Sequence, residues 1–209
     1  PLDQAVESAV RGIFFNQGHV CCAGSRLLVE ESVAGVFVEK LLARMATLRV
    51  GDPLDKNTDV GAIHSEAQLA KIRELVADGE ASGAVRHSGR QALPSQGYWF
   101  APTVFTDVAP SSRVAREEIF GPVLSVLTFR TAEEAVEKAN DTLYGLSAGV
   151  WTSKGDKSLF FARRLRAGVV WSNTFHRFDP ASPFGGYRES GFGREGGRQG
   201  LAAYVELTA

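Results

Sequence analysis

The chain has only two cysteines in 209 residues, adjacent at Cys21 and Cys22, so no disulfide framework holds it together. Methionine is almost absent as well. Met45 is the only one and falls inside a helical pattern, while the first residue is Pro1, so the chain reads as a piece of a longer polypeptide. Charge of one sign is lacking: 23 Lys and Arg against 24 Asp and Glu leave a formal net charge of −1, with no broad basic field to recruit nucleic acid. No apolar run approaches the roughly 20 residues of a membrane-spanning helix. The opening "PLDQAVESAV" has no basic stretch ahead of an apolar core, so neither anchor nor signal peptide is expected and the expected location is cytoplasmic. Phosphate-binding loops are missing too, since neither GxGxxG after a strand nor GxxxxGK[ST] occurs. A nucleotide bound here would keep most of its phosphate contacts outside these residues.

What is present describes an ordinary globular protein. Hydrophobic residues make up 44% and charged residues 22%, and the length allows a substantial core in one domain or at most two small ones, a single domain being expected. Residues 3 to 15 place Ala5, Val6, Ala9, Val10, Ile13 and Phe14 on one helical face, with a stop at Gly18. "RLLVEES" reads as a short buried strand, and the following helix directs Val36, Leu41, Leu42 and Met45 to a core. The loop "VGDPLDKNTDVGAI" leads to a helix at about 65 to 79, where Ala67, Leu69, Ile72, Leu75 and Val76 recur at helical spacing. "GAVRHSG" is a candidate strand. "GYWFAPTVFTDV" alternates around Pro102, the pattern of an edge strand or a bulge, and "GPVLSVLTF" is a run of the buried parallel type. Thr131 and Glu134 form a capping box, after which "SAGVWT", the helix "KSLFFARRLRA" and "GVVWSN" complete the series. The alternation predicts an α/β fold, an open and mostly parallel sheet with helices on both faces. Active groups are then expected beyond the carboxyl ends of strands.

Three loops carry more chemistry than a connection needs: residues 16 to 26, 116 to 123 and 172 to 197. In the first, a cysteine among small residues and exposed N–H groups can attack a carbonyl as thiolate while an N–H holds the oxyanion. The alternatives are that Cys21 and Cys22 are buried filler, or that His19 joins them around a metal, for which no second Cys/His pair has zinc-ligand spacing. In "EEIFGPV", Glu117 and Glu118 are either a solvated turn or acceptors for ribose hydroxyls. The third loop is glycine-rich, which permits close backbone approach.

Taken together, "FFNQGHVCCAGSR", "GDPLDKNTDVGAI", "GYWFAPTVF", "EEIFGPV", "ANDTLYGLSAGVWT" and "SPFGGYRESGFGRE" resemble, in order and spacing, the aldehyde dehydrogenase superfamily along almost the whole chain. The resemblance implies that residues 1–209 are the catalytic domain, with the dinucleotide-binding domain and the terminal oligomerisation strand lying outside them. It implies Cys21 as nucleophile, its N–H contributing to an oxyanion hole, with Cys22 as a variable neighbour and Asn16 and His19 in supporting positions. Glu118 and Phe120 would meet the nicotinamide ribose and ring of NAD or NADP, most of whose binding belongs to the other domain. Thr174, Phe175, His176, Arg177, Phe178 and Phe184 would line the path of a small-molecule aldehyde. No metal, nucleic acid or membrane partner is implied, and the full-length protein is implied to be a homo-oligomer. The reaction implied is NAD(P)-dependent oxidation to a carboxylic acid through a cysteine thiohemiacetal and thioester, the isolated piece being nearly inactive. Transfer of the acyl group to coenzyme A, or a non-catalytic scaffold, are the alternatives.

His19 stands where the family usually has Gln. It is either a charged imidazole near the thiol or a surface residue turned away. His176 and Arg177 make the third loop more polar than an aromatic lining and point to a polar or anionic aldehyde.

Overall fold

A computed structural model describes residues 2–206, so part of the "AYVELTA" segment on which the missing terminal strand was argued lies outside the described residues. The described residues divide into two compact units after Ala135, within a helix, two being the most that the length allows.

The first unit is built on a four-stranded sheet ordered β1 (Arg26–Glu30), β4 (Val123–Phe129), β3 (Thr103–Thr106), β2 (Val85–Ser88). The β1–β4 and β4–β3 pairs are parallel and only β3–β2 is antiparallel, so the sheet is mostly parallel as expected. β4 shows why the sequence reads as it does. Leu124 and Val126 pack with the helices α1 (Leu2–Phe14) and α2 (Glu31–Met45) on one face. Val123 and Leu127 pack with α3 (Glu66–Ala81) and the short α4 (Arg113–Arg116) on the other. A strand covered on both faces needs apolar residues at successive positions. The one polar residue of its buried stretch, Ser125, is satisfied by donating from Oγ to the Val114 carbonyl at 2.7 Å.

Three expectations are corrected. β3 is interior, not an edge or a bulge: Pro102 sits immediately before it, where its missing N–H costs no ladder bond, and the edge is β2. Val36 is 53% exposed, and the core side of α2 is Phe37, Leu41 and Met45, one step round the helix. Ala67 lies on the exposed face of α3, whose first turn is capped by Ser65 Oγ accepting from Gln68 N at 3.2 Å.

The second unit contains β5 (Ser147–Val150), α6 (Gly155–Arg164) and β6 (Val169–Ser172), the two strands pairing in parallel with Gly149 opposite Trp171. The helix at the division, α5 (Ala132–Asn140), starts as predicted, with Thr131 Oγ1 accepting from Glu134 N at 3.1 Å. The Glu134 carboxylate returns to Arg130 N at 2.8 Å, one residue short of a standard box. A small helix, α7 (Gly197–Leu201), follows the long loop.

Candidate active site

In the first unit the expected position of the site is reversed. The cysteine loop runs into the start of β1 and residues 117 to 122 run into the start of β4, so both lie at the amino ends of neighbouring parallel strands, not beyond their carboxyl ends. Only the loop after β6, in the second unit, leaves a carboxyl end as expected.

The cysteine loop is shaped by three successive residues with positive φ: Asn16 at 49°, Gln17 at 46° and Gly18 at 75°. Such a reversal ends α1 more sharply than a glycine alone, and it is held in place by side chains. Asn16 Nδ2 donates to the His19 carbonyl at 3.0 Å, and Gln17 Oε1 accepts from Gly61 N at 3.2 Å. Next, Ala23 N donates to the Val20 carbonyl at 2.9 Å, which makes Cys21 and Cys22 the two central residues of one turn. The turn gives the two side chains different exposure while leaving the thiols within reach of each other. Cys21 is exposed and Cys22 is buried.

Burial, with Cys21 beside it, pushes the Cys22 thiol up to about 12, so Cys22 remains a thiol at neutral pH. Among the described residues the backbone N–H of Cys21 has no hydrogen-bond partner. An exposed thiol next to an unengaged N–H has the elements for attack on a carbonyl and stabilisation of the resulting oxyanion.

The 117–122 loop touches the cysteine loop directly. Gly18 packs on the Gly121 and Pro122 backbone, where a Cβ would have no room. Phe120 has φ of 54°, and its ring centroid is 5.3 Å from that of His19. His19 also meets His64 edge-on at 5.2 Å, and both of its ring nitrogens are buried without a partner among the described residues. Burial lowers its pKa, opposed by the Phe120 backbone and assisted by His64. Thus His19 is neither the charged imidazole nor the outward surface residue that the sequence left open; it is a neutral ring packed against Phe120.

The two glutamates part company here. Glu117 is engaged by Arg113, whereas the exposed Glu118 carboxylate has no partner among the described residues and is available to hydroxyl donors. That arrangement suits a ribose, and the face of Phe120 suits a flat ring, so these residues fit a nicotinamide nucleotide. A residue missed from sequence is Gln68, whose Nε2 donates to the carbonyls of Ile119 at 2.8 Å and Phe120 at 3.0 Å. Its helical neighbours Leu69 and Ile72 stood out by spacing, but a polar residue's tertiary partner leaves no periodic signal.

In the second unit, the loop after β6 forms an aromatic shelf. Trp171 centres the cluster, with ring centroids 4.9 Å from Phe175, 5.6 Å from Phe178 and 6.5 Å from Phe184, while Phe178 and Phe184 meet at 5.1 Å. Gly149 makes room, because a Cβ there would approach Phe175 to 2.6 Å. Trp171 Nε1 donates to the Arg177 carbonyl at 2.7 Å, which turns the peptide inward and leaves the Arg177 side chain exposed. His176 meets Trp171 edge-on at 6.2 Å with φ of 53°, and Thr174 is half-buried beside them. No group of three or more His, Cys, Asp or Glu able to hold a metal occurs among the described residues. Nor is any described helix long and apolar enough to cross a membrane.

Comparison with known proteins adds to this geometry. The model of the aldehyde dehydrogenase family matches residues 1–209. An aldehyde dehydrogenase of Enchytraeus buchholzi is 47% identical over 206 residues, covering 99% of this chain and 41% of its own length. A mitochondrial aldehyde dehydrogenase of Mesocricetus auratus is 46% identical with the same coverage. The crystal structure of an NAD-dependent aldehyde dehydrogenase from Sinorhizobium meliloti superposes with a TM-score of 0.93 at 45% identity, over 97% of this chain and 41% of that one. The chain therefore spans about two fifths of the length of the relatives it matches, and it belongs to the aldehyde dehydrogenase family.

Proposed function

We propose that residues 1–209 are the catalytic domain of a longer polypeptide that oxidises an aldehyde to a carboxylic acid with NAD+ or NADP+. The observation that carries this reading is the turn that exposes Cys21 and buries Cys22, set against the loop bearing Glu118 and Phe120. Cys21, as thiolate, adds to the aldehyde carbonyl, and its own N–H receives the negative charge that develops on oxygen. Asn16 holds the loop in which this occurs, and His19 supports Phe120. Glu118 binds the ribose and Phe120 lies by the nicotinamide, the phosphates being held outside this chain. The cofactor, when bound, supplies the hydride acceptor that turns the Cys21 thiohemiacetal into a thioester. Water then releases the acid. Homo-oligomeric assembly and a cytoplasmic location belong to the same proposal.

The test is oxidation of a panel of small aldehydes by the full-length polypeptide, with NAD+ or NADP+, with and without coenzyme A. Turnover in water alone supports the reading, turnover only with coenzyme A replaces the acyl acceptor, and none with any cofactor leaves a scaffold. Residues 1–209 alone are expected to give almost no turnover, and steady NAD-dependent activity from them overturns the division of labour proposed here.

The aldehyde we propose is anionic. The Arg177 side chain is exposed, without an ion-pair partner among the described residues, and its backbone carbonyl is tied to Trp171 of the aromatic shelf. Removing Arg177 by substitution with Ala in the full-length enzyme is expected to lower kcat/KM about tenfold for a carboxylate-bearing aldehyde while leaving a neutral one of similar size within about twofold. Equal loss for both removes Arg177 from specificity.

A further inference from the structure

Glu117 and Glu118 are chemically identical neighbours, and the structure treats them differently. Arg113 grips Glu117 with two bonds, Nε to Oε1 at 2.6 Å and Nη2 to Oε2 at 3.0 Å, and its carbonyl accepts from Glu117 N at 2.8 Å. The same guanidinium is tied to α3, with Nη1 2.9 Å from Glu74 Oε1 and 3.8 Å from Asp78 Oδ1. On the other side of Glu118, Gln68 of the same helix holds the carbonyls of Ile119 and Phe120. Glu118 is thus suspended between two attachments to α3. The segment needs them, because a phenylalanine at φ of 54° occupies a conformation that is costly for any residue with a Cβ and persists only where its surroundings enforce it.

We infer that Arg113 is a positioning residue: by clamping Glu117 to α3 it sets the direction in which Glu118 faces the cofactor's ribose. The ribose role of Glu118 rests on the proposed function, whereas the clamp rests on the geometry alone. Arginine is suited to this task because its planar fork meets one carboxylate with two bonds and still reaches others, which lysine cannot do. Arg113 holds the Glu117 carboxyl below its usual value, so the pair stays charged across the neutral range.

The experiment has two arms. In the full-length enzyme, Arg113→Ala and Glu117→Gln are each expected to raise KM for NAD+ about three- to fivefold, the scale open to a partly exposed ion pair, with the aldehyde KM unchanged. Their double variant is expected to be no worse than either alone, since both break one clamp, and Arg113→Lys to recover part of the loss. In the full-length enzyme without cofactor, amide hydrogen exchange over 117 to 121 is expected to speed up several-fold in Arg113→Ala, with α1 and β4 unaffected. An unchanged KM for NAD+ beside faster exchange would leave the clamp and overturn its link to Glu118. Unchanged exchange overturns the clamp itself. Full-length protein without NAD-dependent turnover defeats the proposed function, and the exchange arm still judges the clamp.

Discussion

Replacing Cys21 with Ala in the full-length polypeptide is expected to lower aldehyde turnover by about three orders of magnitude or more, with NAD+ binding retained. Cys22 is no substitute. It is buried at 2% exposure, and at neutral pH its thiol stays protonated because burial has pushed its pKa to about 12. Cys22→Ala is therefore expected to keep most of the activity, at a modest cost in stability from lost packing. Single-turnover assays of both variants, with a thiol-labelling count near neutral pH, decide the assignment. Wild type should take one more fast equivalent of reagent than Cys21→Ala. Activity that survives in Cys21→Ala but fails in Cys22→Ala would reverse the roles, and loss in neither would move the chemistry off this turn.

Gly18→Ala is expected to be the most damaging small substitution in the cysteine loop. Its φ of 75° is one an L residue adopts at a cost, and the new Cβ would be driven into the Gly121 carbonyl. Because the obstacle is backbone, no side chain can rotate away, so the two loops must separate. A loss of about 2–4 kcal/mol is expected from strain and overpacking together, which for a chain of this size is a fall in Tm of roughly 5–15 °C. Activity should fall further than stability, since the displaced neighbours are Cys21 on one side and Phe120 on the other. Thermal melting of residues 1–209 measures the first effect and kinetics of the full-length enzyme the second. A Tm within about 1 °C of wild type would show that the contact is not tight.

Much of the framework could be read from residue order because it obeys local rules. β4 announced itself through successive apolar residues, α3 through the spacing of Leu69, Ile72, Leu75 and Val76, and α5 through Thr131. Failures came where the deciding partner is remote in sequence. Pro102 speaks only for its own missing N–H, and nothing near it reveals that β2 will cover the far side of β3. Val36 and Phe37 are adjacent apolar residues, and the angle at which α2 lies on the sheet chooses between them. In the site, Cys21 stood out, but the turn that exposes it and buries Cys22 follows left-handed Asn16 and Gln17, residues with no obligation to that conformation. Only the resemblance separated Glu118 from Glu117; the residues themselves left both open, and the physical difference between them is that Arg113 claims Glu117.

The pairing of Arg26 with Ser125 has a consequence for how the protein comes into being. The two loops of the site enter β1 and β4, strands from distant parts of the chain, and parallel pairing over such a separation is slow because a large loop must close before any contact repays it. On the ribosome, the cysteine turn emerges long before the strand that will brace it. The contact of Gly18 with the Gly121 and Pro122 backbone, which sets the cysteine turn against the loop of Glu118, forms only once that pairing has been made, so the two halves of the site come together late in folding.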